Sequence, residues 1–244
     1  MADRRPPHGW LILDKPRGLG STRAVGAVKR NLREAGYGKV KVGHGGTLDP
    51  LAEGVLAIAL GEATKLAGRM LDANKIYDFT VRFGEETDTL DAEGQVIRRS
   101  DHRPMPDAIV AALPRFTGAI EQVPPAYSAL KVDGRRAYDL ARSGAQVDLA
   151  TRAVTIHALQ LLGVNDDEVT LRAHVSKGTY IRSLARDIAQ ALGTVGHVTI
   201  LRRIKAGPFC LDQAISLDRL NEIGKGARLQ DHLLPLEAGL DDIP

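Results

Sequence analysis

The loop at residues 43–50, Gly-His-Gly-Gly-Thr-Leu-Asp-Pro, carries residue types that could do chemistry on a sugar. Its three glycines permit backbone conformations that side chains would strain, and this lets a substrate approach closely. The loop presents a histidine, His44, and a carboxylate, Asp49. A carboxylate beside an electron-poor anomeric carbon can act as nucleophile or general base and lower the barrier to breaking the bond there.

A purely structural role for Asp49 is the alternative. An aspartate followed by proline is typical of a helix N-cap with proline at the first helical position. Gly54 and the strand-like run from Val55 to Leu60 leave little room for a helix after Pro50. The spacing therefore favours a loop that ends in a strand.

A second unusual position is Arg182, in the first turn of the helix predicted from after Thr179 to Gly193. A cation there opposes the helix dipole, so it should have a carboxylate or phosphate partner. The alternative is an exposed arginine tolerated at a cost of about 0.5 kcal/mol.

Tyr77 lies on a strand predicted from Ile76 to Phe83, where apolar and polar residues alternate. An aromatic residue on the apolar face of a strand is most simply part of the core. A tyrosine at a strand edge could also stack on a nucleic-acid base that has been extruded from its helix.

The elements that position these residues follow from the apolar spacing. Helices are predicted from Ser21 to a stop at Gly36, with Ser21 or Thr22 as the N-cap, and at 62–71, 107–116, 135–142, 180–193 and 212–222. Strands are predicted at 10–13, 55–60, 76–83, 127–132, 154–162, 169–175 and 198–204. Because strands and helices do not alternate regularly, we expect an α+β fold with a mixed or mainly antiparallel sheet flanked by helices.

Composition excludes several classes of protein. The 244 residues are 43% hydrophobic, which suits one large domain or two small ones. A single cysteine, Cys210, excludes an intramolecular disulfide and zinc sites built on paired cysteines, and the seven histidines include no pair at i, i+4. The chain has no Gly-x-Gly-x-x-Gly, Walker A or Gly-x-Ser-x-Gly motif, no signal peptide and no apolar run near the length of a membrane span. We therefore expect a cytoplasmic protein, and the sequence gives no support for a nucleotide cofactor or a zinc-hydrolase site.

The net charge of +3 conceals an asymmetry along the chain. Residues 1–44 carry ten Lys or Arg against three Asp or Glu, and residues 171–207 carry seven against one. If the fold brings the two segments together, they would suit a polyanion, most simply nucleic acid. The alternative is that each segment forms a separate solvated face.

Seven motifs resemble those of the TruB family of tRNA pseudouridine-55 synthases, and they occur in the family's order between about residues 9 and 207. They are Gly9-Trp-Leu-Ile-Leu-Asp-Lys-Pro16, Gly43-His-Gly-Gly-Thr-Leu-Asp-Pro-Leu-Ala52, Gly61-Glu-Ala-Thr-Lys65, Thr87-Asp-Thr-x-Asp91, Pro125-Ala-Tyr-Ser-Ala-Leu-Lys131, Ser176-Lys-Gly-Thr-Tyr-Ile-Arg182 and Leu201-Arg-Arg203.

The resemblance implies the pseudouridine synthase fold, a mixed, mainly antiparallel sheet flanked by helices, with a central basic cleft. It implies isomerisation of one uridine in the tRNA T-loop, by base flipping and a catalytic aspartate, without cofactor or metal. The aligned aspartate is Asp49, acting either as nucleophile at C1′ or as base for the 2′ proton. The implied partner is the tRNA T stem-loop, with no membrane and no obligate protein partner evident.

The resemblance also implies roles for other residues. Arg182 would pair with Asp49, Tyr77 would stack on the flipped base, Tyr180 and Leu201 would line the substrate pocket, and His44 would help to hold the opened T-loop. Lys15, Gly45, Gly46 and the basic helix after Ser21 are the expected contacts to RNA.

Two features depart from the family pattern. Gly45 stands where the family usually has threonine, so a hydroxyl contact is lost and we expect a looser loop. Bacterial relatives usually continue into a PUA-type RNA-binding domain, so we expect a flexible segment at 1–8, a catalytic domain at 9–235 and a tail at 236–244 without that domain, with weaker tRNA binding. The alternatives in function are a non-catalytic RNA-binding or tRNA-folding protein and a pseudouridine synthase for another RNA.

Overall fold

The computed structural model describes residues 5–128, 131–132, 135–137, 139 and 149–240. Its helices are α1 (Ser21–Glu34), α2 (Pro106–Ala112), α3 (Ile181–Ala191) and α4 (Leu217–Gly224). Its strands are β1 (Gly9–Lys15), β2 (Val42–His44), β3 (Glu53–Leu60), β4 (Lys75–Phe83), β5 (Glu85–Thr87), β6 (Val96–Arg99), β7 (Gly118–Gln122), β8 (Lys131–Val132), β9 (Arg135–Arg136), β10 (Arg152–Asn165), β11 (Glu168–Val175), β12 (Gly196–Ala206), β13 (Phe209–Cys210) and β14 (Leu233–Leu234).

The chain divides into two compact units. The first comprises residues 1–77 and 202–244, and the second comprises residues 78–201. β4 and β12 contribute residues to both units. Among the described helices, none is long and apolar enough to span a membrane.

The first unit is built on β1 and β3, which pair antiparallel over their whole lengths, from Gly9 opposite Leu60 to Lys15 opposite Gly54. β14 pairs with the other edge of β1, while β2 and the end of β12 both pair with β3, antiparallel and parallel respectively. One face of this sheet buries Trp10, which packs tilted against Phe209 at 5.3 Å between ring centroids. Because β2 and β12 share one edge of β3, the loop between β2 and β3 lies beside the end of β12.

Helix α1 covers part of the first unit with an apolar stripe of Ala24, Val28 and Leu32. It packs against α4, where the Asn31 side-chain amide donates to Asn221 Oδ1 at 3.1 Å. The predicted helix is confirmed, but its N-cap is Gly20, which makes no side-chain capping hydrogen bond. The hydroxyl of Ser21 is used elsewhere.

The second unit contains strands in the order β4-β11-β10-β7, a short β5–β6 hairpin, and helices α2 and α3. β10 pairs antiparallel with both β7 and β11. Phe79, Val81 and Phe83 are buried, as the alternation of β4 predicts. The expected α+β class with a mainly antiparallel sheet is confirmed.

Some predicted helices are shorter than expected. Residues 62–71 form two 3-10 turns, Gly61–Lys65 and Arg69–Leu71. The helix predicted at 212–222 begins only at Leu217, after a 3-10 turn at Leu211–Gln213. The helix predicted at 135–142 lies largely outside the described residues, and its first two residues form β9 instead.

Candidate active site

Asp49 lies in a loop, not at the start of a helix. Its carbonyl accepts a hydrogen bond from Ala52 N at 3.0 Å, and β3 begins at Glu53. The N-cap interpretation is therefore wrong, because no helix follows Pro50. Asp49 is partly exposed, as a group that meets a substrate must be.

The Ser21 hydroxyl fastens this loop to α1. It donates to Leu48 O at 2.9 Å and accepts from Leu48 N at 2.8 Å, so one side chain satisfies both main-chain groups of the residue before Asp49. Both residues are buried, which shields the two bonds from water. The first residue of α1 thereby fixes the main chain beside the carboxylate.

Lys15 supports the other side of the same loop. Its side chain is fully buried, and its ammonium group donates to Leu19 O at 2.6 Å, Pro16 O at 3.0 Å and Pro50 O at 3.5 Å. The expectation that Lys15 contacts an RNA phosphate is wrong for this structure, since a buried ammonium held by carbonyls is not presented to a ligand. It holds the residue that follows Asp49.

Arg203 lies on β12 and is 1% exposed. Its guanidinium donates to Val55 O at 2.8 Å, Gly46 O at 3.2 Å, Thr47 O at 3.3 Å and the Tyr77 hydroxyl at 3.5 Å. The Asp49 loop is therefore tied at three places, to α1, to the end of β1 and to β12.

Gly45 and Gly46 of the loop are buried and pack against other parts of the protein. A Cβ on Gly45 would lie 2.6 Å from Met70 Cβ, and Met70 is fully buried. Gly46 has φ +125° and is buried. The close approach that these glycines permit is made by protein side chains, so the expected RNA contacts at Gly45 and Gly46 are not available at the surface. At Gly45 the loop packs against Met70, and Gly45 N donates to Ala57 O at 2.9 Å. The expected looser loop stays a prediction.

His44 ends β2 and is partly buried. Its pKa is lowered from the ordinary 6.5 by burial, and further by the positive charge of Arg203. Its Nδ1 atom is buried and has no hydrogen-bond partner among the described residues. A contact between His44 and RNA would therefore use the rest of the ring.

Tyr77 is partly exposed at the start of β4, unlike the fully buried Phe79 and Val81 on the same strand face. Its hydroxyl accepts the hydrogen bond from Arg203. Tyr77 is therefore not an ordinary core residue, and part of its surface is free to meet a ligand.

In the second unit, Arg182 occupies the first turn of α3 and is 5% exposed. It donates to Thr89 O at 2.9 Å, and its Nε lies 3.9 Å from a carboxylate oxygen of Asp91. The prediction that this cation needs a carboxylate partner is met by Asp91, which is 3% exposed. The exposed-arginine alternative is wrong.

Tyr180 and Leu201 also belong to the second unit. Tyr180 is the N-cap of α3, and its main chain exchanges two hydrogen bonds with the buried Gln122 side chain, at 2.8 and 3.1 Å. The Arg152 guanidinium lies 5.7 Å from the Tyr180 ring centroid. Leu201 is 6% exposed on β12.

Most of the basic side chains at residues 171–207 are either buried or paired with carboxylates. Arg182 and Arg203 are buried, and Arg172 forms a two-pronged ion pair with Asp78 at 2.7 and 2.8 Å. Arg186 pairs with Asp187, and Arg202 pairs with Asp14 and Glu53. The formal charge of this segment is therefore a poor measure of its attraction for a polyanion.

Two family models match the chain in succession. The model of the TruB family pseudouridylate synthase N-terminal domain matches residues 32–181, and that of the tRNA pseudouridylate synthase B C-terminal domain matches residues 182–241. The chain belongs to the TruB family of pseudouridylate synthases. The family resemblance is confirmed, and this TruB-family chain is an isomerase.

Relatives agree with this assignment. The chain is 68% identical over 241 residues to the tRNA pseudouridine synthase B of Novosphingobium aromaticivorans, covering 97% of this chain and 79% of that protein. It is 59% identical over 237 residues to the tRNA pseudouridine synthase B of Zymomonas mobilis, covering 97% and 78% respectively.

Two similar solved structures give the same fold. A Cbf5-Nop10-Gar1 complex contains a chain that matches with a TM-score of 0.73 and 29% identity, over 95% of this chain and 61% of that one. An H/ACA RNP bound to a substrate RNA containing 2′-deoxyuridine matches with a TM-score of 0.71 and 28% identity, over 95% and 60% respectively. The TruB-family chain thus spans about three fifths of the length of these structural relatives.

Three residues that hold functional side chains or loops within the two units are not distinguished by sequence reasoning. The pattern indicates Ser21 only as a capping residue, Asp91 only as part of a motif, and Arg203 only as a basic residue. The signal for Arg203 is its place in the Leu201-Arg-Arg203 motif, but nothing in the sequence separates a buried arginine from the partly exposed Arg202 beside it.

Proposed function

We propose that this TruB-family chain converts the uridine at position 55 in the T-loop of tRNA into pseudouridine, with Asp49 as the catalytic residue. The observation that carries the proposal is the way the Asp49 loop is held: the main chain on either side of Asp49 is fixed by Ser21, Lys15 and Arg203, while Asp49 itself is partly exposed. Both relatives named above are tRNA pseudouridine synthases B, which supports tRNA as the substrate class.

The isomerisation of uridine to pseudouridine requires a carboxylate placed in this way. The target base must be extruded, its N-glycosidic bond broken, the uracil rotated, and a bond from C5 to C1′ formed, with one proton leaving C5 and one arriving at nitrogen. Asp49 acts on the ribose, as nucleophile at C1′ or as base for the 2′ proton. A fastened loop keeps the carboxylate in reacting geometry, where a misplacement of about 1 Å can cost about 100-fold in rate.

The remaining assignments are part of the same proposal. Tyr77 stacks on the flipped base, Tyr180 and Leu201 line the substrate pocket, His44 helps to hold the T-loop, and Arg182 acts with Asp49. The partial exposure of Tyr77 supports its stacking on the base. The burial of Arg182 in the first turn of α3 supports a functional role for this cation, because an arginine that only interacts with solvent would be exposed.

A basic surface formed by α1 and the segment that follows it is the proposed contact to RNA phosphates. Lys29, Arg33 and Lys39 are exposed and line a cavity of about 520 Å³ with Gly38 and Val40. None of the three cations forms an ion pair with a described carboxylate. The acidic neighbour on α1, Glu34, pairs with Arg30 at 4.0 Å. Exposed cations with no counter-charge suit the backbone of a nucleic acid.

The test compares wild type with Asp49→Asn on an unmodified tRNA transcript and on a transcript whose uridine 55 is replaced by cytidine. We expect product at the single position with wild type, no product with the cytidine transcript, and loss of product with binding retained in Asp49→Asn. Tight binding without product from wild type would indicate an RNA-binding protein, and product at another RNA position would indicate a different substrate.

A further inference from the structure

The charge of Arg203 has no counter-charge in the described part of the chain. The side chain is 1% exposed, and none of the described carboxylates forms an ion pair with it. A guanidinium keeps its proton under ordinary conditions, so the site holds a permanent buried cation. Burying a charge without a partner of opposite sign is expensive, which calls for an explanation.

The adjacent arginine shows the ordinary arrangement. Arg202 is about one-third exposed and pairs with Asp14 at 2.8 Å and Glu53 at 3.4 Å. Arg202 and Arg203 are consecutive residues of β12, but their guanidinium groups have opposite surroundings. Arg202 neutralises surface carboxylates, whereas Arg203 is surrounded by neutral oxygens.

Those oxygens belong to the elements around Asp49. The carbonyls of Gly46 and Thr47 are three and two residues before Asp49, the carbonyl of Val55 belongs to the strand after it, and the phenol belongs to Tyr77. A guanidinium presents its donors in a rigid planar fork. One side chain therefore fixes the loop, the following strand and the tyrosine relative to one another.

The backbone is adapted to let Arg203 sit there. Gly54 has φ +99°, and a Cβ at this position would lie 2.2 Å from Arg203 O. Any residue other than glycine would separate β3 from β12 at the point where their parallel pairing joins Arg203 to Gly54. The glycine at position 54 therefore allows the close contact between β3 and β12 at Arg203.

We propose that Arg203 is a positioning residue for the isomerisation, which holds the Asp49 loop and the Tyr77 phenol in one reactive arrangement. The expected effect of Arg203 on kcat rests on the proposed function. The expected effect of Arg203 on the order of the Asp49 loop does not. Lysine cannot replace Arg203, because an ammonium is a point charge and cannot direct donors to four separated oxygens. Charge alone is thus predicted to be insufficient.

The test uses Arg203→Lys, Tyr77→Phe and the double variant, with Arg202→Lys and Leu220→Ala as controls. Arg202→Lys makes the same change on the neighbouring residue, and Leu220→Ala lowers stability by emptying a fully buried site on α4. With saturating unmodified tRNA transcript, we expect Arg203→Lys to lower kcat about 30-fold or more with KM within about threefold, since misplacement by about 1 Å costs about 100-fold. The controls are expected to keep kcat within about twofold.

Tyr77→Phe keeps the ring and removes only the oxygen that Arg203 contacts, so it tests the proposal even if Arg203→Lys folds poorly. We expect Tyr77→Phe to lower kcat about fivefold in the wild-type background and hardly at all in the Arg203→Lys background, because groups in one network are not additive. Additive losses would contradict a shared arrangement.

Hydrogen exchange of the amides at 45–52 provides a readout that needs no activity. We expect about tenfold faster exchange of these amides in Arg203→Lys, with no change in the two controls beyond their effect on global stability. If wild type makes no pseudouridine, the proposed function fails and the exchange result still decides whether Arg203 holds the loop. Unchanged loop exchange, or a kcat equal to that of wild type, would overturn the inference.

Discussion

The hydroxyl of Ser21 bonds both main-chain polar groups of Leu48, donating to its carbonyl at 2.9 Å and accepting from its amide at 2.8 Å. A side chain that satisfies both groups of one residue acts as a two-point clamp. Because Leu48 directly precedes Asp49, this clamp links the start of α1 to the orientation of the carboxylate.

Replacing Ser21 by alanine should destabilise the fold and slow the reaction. An unsatisfied buried backbone group costs about 1–3 kcal/mol, and two groups lose their partner, so we expect a loss of about 2–6 kcal/mol in the free energy of unfolding. Urea denaturation and kcat measure the two effects. Thr22→Ala is the matched control, because Thr22 is the exposed next residue of the same helix. Equal stability of the two variants would contradict the clamp.

Alanine at Gly45 should be far more harmful than alanine at Gly43. A Cβ on Gly45 meets Met70 Cβ at 2.6 Å, whereas one on Gly43 meets nothing within 4 Å. Overpacking of this kind costs about 1–3 kcal/mol, and we expect a change within about 0.5 kcal/mol at Gly43. Thermal unfolding of both variants measures the difference. Because the clash is with Met70 Cβ, truncating Met70 to alanine should not rescue Gly45→Ala.

His44 should make the stability of the protein depend on pH on the acidic side of neutrality. Burial and Arg203 lower its pKa below the ordinary 6.5, so between the folded pKa and 6.5 the unfolded chain binds more protons than the folded one. The contribution of neutral His44 is then fully present above about pH 6.5 and is lost as pH falls from there towards the folded pKa. Urea unfolding between about pH 5 and 8 should show a shallower pH dependence in His44→Gln. Parallel curves for wild type and variant would contradict this linkage.

The basic surface of Lys29, Arg33 and Lys39 should contribute to the salt dependence of RNA binding. Each phosphate contact contributes about 0.7–0.9 to the slope of log K against log salt, so Lys29→Gln, Arg33→Gln and Lys39→Gln together should lower the slope by about 2. Filter binding of tRNA between about 50 and 200 mM salt measures it. A control with the exposed Arg115, Lys225 and Arg228 changed to glutamine has the same change in net charge. Equal slopes in the two triple variants would place the RNA elsewhere.

The sequence predicts local structure well where the pattern is strong. The alternation of β4 and the apolar stripe of α1 both appear in the structure, because each depends on neighbours a few residues away. The role of Arg203 could not be predicted, since it depends on the parallel pairing of β12 with Gly54, about 150 residues earlier in the chain. The burial of Lys15 could not be predicted either, since β1 is covered by strands that are distant in the sequence. Charge is visible in a sequence, but the burial of that charge is decided by tertiary contacts.

The pairing of Arg182 with Asp91 leads to a last prediction. Both side chains are buried, at 5% and 3% exposure, and Asp91 also accepts from Thr89 Oγ1 at 2.6 Å and from Glu93 N at 3.0 Å. In Asp91→Asn the remaining side-chain oxygen can still accept from Thr89 Oγ1 and Glu93 N. The oxygen that faces the Arg182 guanidinium is replaced by an amide NH₂ group, which cannot accept a hydrogen bond. Leaving a buried cation with a weaker partner should cost about 3 kcal/mol in the free energy of unfolding and shift Arg182 within the first turn of α3.

Asp91→Asn should therefore lower both stability and kcat, and urea denaturation with a saturating-tRNA assay measures the two together. Asp88→Asn is the control, because the Asp88 carboxylate accepts an exposed hydrogen bond from Gln95 N in the same turn. If Asp91→Asn and Asp88→Asn behave alike, the position of Arg182 does not depend on Asp91.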